Sequence, residues 1–330
     1  MAEPLRLVFM GSDPLALPLL NWLAGEGSSV ATIIAVVTGP DKPAGRGKAV
    51  KPNAVGAWAS GRPFETLKPE APDSGTVSLL SALRPDLSLV VAYGHLLRDN
   101  LISVPRLGTL NLHASLLPRH RGASPIQAAI AAGEPRTGMT LMRIVRELDA
   151  GPVADVEPVD ILPLDTSAEV EAKLAACSVP LLARALPRLA WGELGFRGQD
   201  AALASYCRRL GRADGVLDFA LPASVLAARV NALHPWPGVT VDMAGAPVRL
   251  GLADSVTGTI PAAPGTVVDS DSEGLLVATG SGVLRLLRLQ RPGGRMLGAP
   301  EFLRGFPVAP GTQLPSKPMP ALLSGAPFRR

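Results

Sequence analysis

The chain is expected to be an α/β protein: a largely parallel sheet covered by helices, joined to a small C-terminal β-barrel. Three observations carry that expectation. Roughly the first 150 residues alternate continuous apolar runs with helix-like stretches, the pattern of strands buried on both faces. Beyond about residue 240 the pattern changes to five short strands separated by turn signals. The length of 330 residues also exceeds the roughly 250 to 300 at which a single core stops growing, so a boundary is expected past the middle.

Residues 5–10 form an apolar run ending at Gly11, followed by a helix-like stretch over 15–24 and a β-branched run over 31–38, which together read as a βαβ opening. Strand patterns recur at 87–93, 109–115 and 139–145, with helix-like 77–83 and 124–132 around them. Such sheets bind ligands outside the carboxyl ends of their strands, so the segments after Met10, Tyr93 and Ser115 are expected at one rim. A long helix over 167–189, capped at Thr166 or Ser167 and acidic at Glu169 and Glu171, ends the expected first domain, 1–190. Gly-rich 191–206 reads as a linker and 207–330 as the second domain. In it a helix at 224–233 precedes strands at 240–243, 248–252, 265–268, 274–279 and 283–289, a set for which an oligonucleotide-binding (OB) barrel is one five-stranded form. Residues 308–330 are rich in Pro and small side chains, and the sequence leaves their order open. Trp22, Trp58 and Trp191 read as packing residues, and Trp236, in the stiff turn Leu233-His234-Pro235-Trp236-Pro237-Gly238, as closing the second core.

Composition excludes several classes. With 47% apolar and 18% charged residues the chain has enough hydrophobic surface to offset the entropy of ordering, which argues against disorder. Cys177 and Cys207 supply neither a disulfide framework nor a zinc site, and a reducing cytoplasm is expected. The N-terminal apolar stretch is interrupted by Asp13, Pro14 and Pro18, so no secretory signal is expected; the apolar segment 174–191 carries Arg184, Arg188 and two prolines, so no membrane span is. From residue 206 onward thirteen cations face eight acids, so the C-terminal part carries all of the net charge of +4. A solvated surface explains such a bias as simply as contact with phosphates does.

Two phosphate-binding motifs are missing. Met10-Gly11-Ser12-Asp13-Pro14 lacks the glycines of a dinucleotide turn, and Gly45-Arg46-Gly47-Lys48 is too short and basic for a P-loop. The densest chemistry lies in Asn111-Leu112-His113-Ala114-Ser115-Leu116-Leu117-Pro118. Residues 111 and 113 of a strand point the same way, placing an amide donor beside a proton-transfer group, as acyl transfer requires. An isolated Asn-x-His pair is also what a structural strand end presents. Asp149, just past the strand at 139–145, can orient His113, although an aspartate before Gly151 is equally a turn residue. The loop from Pro40 to Lys51 concentrates Lys42, Arg46, Lys48 and Lys51, and reads either as a solvated loop or as a finger that orders on a polyanion. His95 and His120 stand as single histidines.

Taken together, Asn111-x-His113 running into Ser115-Leu116-Leu117-Pro118, with Asp149 thirty-six residues after His113, resembles the formyltransferases that use 10-formyltetrahydrofolate, glycinamide ribonucleotide transformylase among them. Phe9-Met10-Gly11, the basic loop, Arg121-Gly122-Ala123-x-Pro125-Ile126-Gln127 and His234-Pro235-Trp236-Pro237-Gly238 look like the methionyl-tRNA formyltransferases in particular. The resemblance spans residues 5 to about 307. It implies a Rossmann-like formyltransferase fold with an OB-like barrel that helps hold tRNA, and formylation of initiator methionyl-tRNA. It further implies Asn111, His113 and Asp149 as catalytic, Ser115, Leu116, Leu117, Pro118, His95, Leu96 and Leu97 at the folate, the basic loop at the acceptor stem, no metal, and a monomer. Departures lie at Asp214-Gly215-Val216-Leu217-Asp218-Phe219, where Asp214 to Phe219 replace an acidic-Gly-Ile-Asp-Trp pattern, and at His234, where an Asn is usual. A formyltransferase for a small amine or nucleotide sugar shares the catalytic set but leaves the basic loop without a role; a silent RNA-binding protein leaves the catalytic set without one.

Overall fold

A computed structural model of the chain describes residues 3–44, 49–258 and 260–328. In chain order the first elements are β1 (Leu5–Gly11), α1 (Leu17–Ala24), β2 (Ala31–Val37), β3 (Lys42–Ala44), β4 (Ala49–Lys51), α2 (Ala54–Ala59), β5 (Glu65–Leu67), α3 (Ser74–Ala82), β6 (Leu87–Val91), α4 (Asp99–Ile102) and β7 (Thr109–His113). They are followed by β8 (Arg121–Gly122), α5 (Pro125–Ala131), β9 (Arg136–Arg143), β10 (Val153–Asp160) and α6 (Ser167–Ala190). The βαβ opening and the strands at 87, 109 and 139 appear where the apolar runs place them. The short hairpin β3–β4, the edge strands β5 and β10 and the small helices α2 and α4 carry too little periodicity to be read in advance.

The principal sheet runs β10-β9-β7-β6-β1-β2-β5. β7, β6, β1, β2 and β5 pair in parallel, while β9 lies antiparallel to β7. All five residues of β6, Ser88 among them, are buried, as in a strand covered on both faces. At Gly11 an added Cβ would stand 2.6 Å from the Val91 carbonyl oxygen, so the end of β1 approaches β6 as only glycine permits.

The chain forms two compact units: residues 1–121, 138–159 and 171–205 make one, and 122–137, 160–170 and 206–330 the other. Where the sequence suggests a continuous division with a linker over 191–206, each unit is thus assembled from separated stretches. The second unit contains β11 (Tyr206–Cys207), α7 (Ala223–Leu233), β12 (Val239–Met243), β13 (Ala246–Val256), β14 (Val267–Ser270), β15 (Leu275–Ala278), β16 (Val283–Gln290), β17 (Leu297–Gly298), α8 (Ala299–Gly305) and β18 (Leu323–Ser324). Its antiparallel sheet runs β12-β13-β16-β15-β14, with β17 on β16. The five expected short strands correspond to β12 to β16. β12 alternates buried Val239, Val241 and Met243 with exposed Thr240 and Asp242, the signature of a strand with one solvated face. Its core gathers Leu226 and Val230 of α7 with Phe219, Leu250, Leu286 and Phe302.

The C-terminal stretch is folded through residue 328. Leu314 and Leu322 enter the second core, β18 pairs with β11, and the Lys317 amide donates to the Leu217 carbonyl at 2.8 Å. Two of the tryptophans expected to pack do not: Trp191 is 68% and Trp236 55% exposed. Pro235 and Pro237 hold the turn instead through their carbonyls, which accept from Arg249, so the aromatic ring is not needed to close the core. Trp58 does pack, stacked on Phe64 and donating to Asn21 at 2.7 Å. Among the described residues no helix is long and apolar enough to cross a membrane, and no cluster of three or more His, Cys, Asp or Glu is arranged to hold a metal ion.

A buried ion network ties the second unit together. Asp214 accepts from both terminal nitrogens of Arg208, while Arg229 donates to the Asp214 carbonyl at 2.9 Å and to the Pro320 carbonyl at 3.0 Å. Burial pushes the Asp214 carboxyl up, but its bonds to Arg208 and the Gly211 amide and the charges of Arg208 and Arg229 outweigh this and leave it below the usual range. A carboxyl lowered on folding contributes stability that is complete above its unfolded value, about 3.9, and is lost as pH falls through the folded one. Asp214→Asn should lower stability at pH 7 by about 3 kcal/mol, because it strands a buried guanidinium, and should flatten the loss of stability below about pH 4. Urea unfolding of both proteins across that range checks both effects.

Candidate active site

β7 carries the centre of the site because it pairs with β6 on one side and β9 on the other, fixing Asn111 opposite Val90 and Met142 and His113 opposite Thr140. Asn111 is half-buried, and no hydrogen bond among the described residues engages its side-chain amide. His113 is 6% exposed, with Nε2 2.9 Å from the His120 carbonyl oxygen and Nδ1 3.7 Å from Oδ2 of Asp149. The His120 carbonyl can only accept, so Nε2 carries the hydrogen that faces it. The 3.7 Å separation from Asp149 is too long for a hydrogen bond.

Asp149 reaches the ring from a turn that asks much of its backbone. Its φ of 48° lies in the left-handed region, which costs a residue with a Cβ about 1 kcal/mol and which aspartate tolerates better than most. Two residues on, a Cβ at Gly151 would overlap the Arg143 carbonyl, so the chain can return toward β10 only with glycine there. The sequence-expected triad is therefore brought together: Asn111 and His113 by strand alternation, Asp149 by this turn.

The segment after β7 is held by two hydroxyls. Ser115, fully buried, donates to the Arg119 carbonyl at 2.6 Å, closing the loop that contains Leu116, Leu117 and Pro118. Thr140 on β9 donates to the Ser115 carbonyl at 2.6 Å and accepts from the Leu117 amide at 3.2 Å. Leu116, Leu117 and Pro118 remain half-exposed on this rigid loop. Beyond the end of β6, Leu96 is 61% exposed while His95 and Leu97 are half-buried. The His95 ring lies 5.0 Å from that of Tyr93, whose buried hydroxyl has no hydrogen-bond partner among the described residues and whose phenol is lifted to about 12 by burial. Thr140 and Tyr93 are site residues that sequence reasoning passed over, since each sits inside an apolar strand pattern.

The basic loop begins and ends in a stitched base. Thr38 donates to Asn53 at 2.8 Å, Asn53 donates to the Gly39 carbonyl at 2.9 Å and caps α2, and the Gly39 amide donates to Ser12 at 3.1 Å. Above it, β3 and β4 pair with Lys42 directly opposite Lys51. Like charges opposed across strands are unfavourable without an intervening anion. Asp41, the nearby acid, is engaged by Lys68 at 2.7 Å. Arg46 and Lys48 lie outside the described residues.

Residues 5–186 match the Formyl transferase family and residues 209–307 the Formyl transferase, C-terminal domain. Methionyl-tRNA formyltransferases of Aromatoleum aromaticum and Burkholderia ambifaria are 39% and 40% identical, each over 94% of this chain and 97% of its own length. Among solved structures, WlaRD, a sugar 3N-formyl transferase crystallised with dTDP and 5-N-formyl-THF, superposes with a TM-score of 0.64 at 12% identity, over 86% of this chain and 98% of that one. HypX from Aquifex aeolicus, in complex with tetrahydrofolic acid, gives 0.61 at 16% identity over 92% of this chain, which spans 47% of that longer protein. Identities this low establish a shared fold and nothing finer. The two family matches, one over each part of the chain, define a formyl-group transferase. With about 39% identity over nearly its whole length, the chain belongs to the methionyl-tRNA formyltransferase family.

Thr140→Val should lower stability by about 2 kcal/mol, since it orphans the buried Ser115 carbonyl and Leu117 amide together. It should also raise the Michaelis constant for a 10-formyl folate more than that for the acceptor. Chemical denaturation and steady-state kinetics measure the two effects.

Proposed function

We propose that the chain transfers the formyl group of 10-formyltetrahydrofolate to the α-amine of initiator methionyl-tRNA, with Asn111, His113 and Asp149 as the catalytic set. The convergence of these three side chains at the end of β7, in a chain of this family, is the observation that carries the reading. An α-amine has a pKa of about 7.7 to 8.0 and is partly neutral near pH 7, so the nucleophile needs neither a metal nor a strong base. The barrier lies in charge separation: the amine nitrogen bonds to the formyl carbon, the carbonyl oxygen becomes an oxyanion, and the bond to folate N10 then breaks as a proton passes from the new ammonium to N10. Asn111, whose amide is not otherwise engaged, donates to the oxyanion. Both ring nitrogens of His113 already face oxygens, so His113 acts on the oxyanion chiefly through the charge of its ring. Asp149 supports that charge and, through water, assists the proton transfer.

Ser115 to Pro118 and His95 to Leu97 flank the strand ends where such sheets take ligands, and are assigned to the folate. The opposed Lys42 and Lys51, together with Arg46 and Lys48, are assigned to tRNA phosphates, as is part of the cationic surplus of the C-terminal part. A monomer acting in the cytoplasm belongs to the same reading. A formyltransferase for a nucleotide sugar would share the triad and leave the opposed lysines unused.

Incubation with 10-formyltetrahydrofolate and either methionyl-tRNA or a small amine, followed by release of tetrahydrofolate, separates these readings: release with the amine alone would refute the tRNA assignment. Asn111→Ala should lower kcat by about 10²- to 10³-fold with little change in tRNA affinity, and weakened affinity at normal turnover would refute the oxyanion role. Replacing both Lys42 and Lys51 by Ala should weaken tRNA binding and make it less salt-dependent, by about one unit of log–log slope for each phosphate no longer neutralised. Binding measured between low and physiological salt gives the slope.

A further inference from the structure

The geometry points to Gln199 as the residue that positions Asp149 for the reaction, by holding the turn that carries it between two carbonyls and a fixed guanidinium. Gln199 lies in the Gly-rich stretch whose sequence suggests only a linker. Its Nε2 donates to the carbonyl of Asp149 at 2.9 Å and to that of Gly151 at 2.7 Å, bracketing the turn from both sides. Its Oε1 accepts from Nε and Nη2 of Arg121 at 3.1 and 2.7 Å. The amide cannot be turned over: the opposite orientation would set its NH₂ against a guanidinium and its oxygen against two carbonyls.

Both ends of this clamp are anchored. Arg121 is 6% exposed and follows the loop of Ser115 to Pro118, and its amide donates to the Ser205 carbonyl at 2.8 Å. Arg197, two residues before Gln199, exchanges 2.8 Å hydrogen bonds in both directions with Val153 at the start of β10, which sets Gln199 alongside the turn. Arg146, Glu147 and Leu148 are exposed, and the bond from Ala150 to the Glu147 carbonyl is long, at 3.3 Å. Asp149 meanwhile adopts a left-handed backbone and stands 3.7 Å from the imidazole, so a small shift of the turn moves it out of reach of the ring. Gln199 touches neither the ring nor, on this geometry, a substrate; it acts through Asp149.

This inference rests on the reading of Asp149 as catalytic, and the experiment separates the two. Gln199→Met keeps the length and removes both polar functions. Gln199→Glu keeps the link to Arg121, as an ion pair, and turns an oxygen on the two carbonyls, so it serves where the Met variant fails to fold. Either variant should lose about 10- to 100-fold in kcat, with Michaelis constants for 10-formyltetrahydrofolate and methionyl-tRNA within about twofold of the parent, as displacement of a reacting group by a fraction of an ångström does. Combined with Asp149→Asn, either should reduce kcat by less than about twofold further, because a residue that works only through Asp149 has nothing left to position. A folded variant with parental kcat, or losses that multiply in the double variant, overturns the positioning role while leaving the catalytic reading intact. Parental kcat in Asp149→Asn alone overturns the catalytic reading and this inference with it.

Discussion

The site depends on one electrostatic arrangement: an imidazole on the end of a central strand, almost entirely withdrawn from water, flanked by oxygens that only accept. On one side stands the His120 carbonyl, on the other the Asp149 carboxylate. Burial weakens solvent screening, so the carboxylate acts on the ring more strongly than it would at the surface. The strand fixes position without further devices, since β7 is locked by pairing on both edges. The carboxylate is harder to place, and the fold uses a left-handed residue, an obligatory glycine and an amide clamp to bring it there.

Backbone satisfaction governs the loop after β7. Ser115 and Thr140 are small hydroxyl residues in positions that an apolar side chain could have filled, and each satisfies backbone groups that would otherwise be buried without partners. Their effect is a rim that is rigid while its Leu116 to Pro118 surface stays accessible. A stiff rim leaves less ordering to be done when a ligand binds. On the β3–β4 hairpin Lys42 and Lys51 stand opposed, a like-charge pair whose repulsion an anion would relieve.

The second unit depends on charge buried for structural ends. Asp214, Arg208 and Arg229 tie residues 208–229 to Pro320 and Ala321, so the C-terminal stretch is part of the fold rather than an appendage. Asp214 is the first residue of the segment that departs from the family's usual pattern. Its structure shows the acidic residue retained for the network, while Leu217 and Phe219 go into the core.

Local chemistry made much of this legible in advance. Unbroken apolar runs announce strands covered on both faces, so the parallel sheet and its rim could be read directly, as could Asn111 and His113, two residues apart on one strand. Short alternating strands likewise announced β12 to β16. What sequence alone left undecided involves groups that meet from distant positions. Whether Asp149 was a turn residue or the partner of His113 turned on a φ of 48° and a 3.7 Å approach across thirty-six residues, and it is both. Trp236 looked like a core residue because large aromatics usually are, yet Arg249 holds the neighbouring carbonyls and leaves the ring in solvent. Gln199, amid glycines and polar residues, gave no local signal, because its partners lie fifty and seventy-eight residues away. Periodicity reports which face of an element is buried; only the folded chain decides which distant groups meet there.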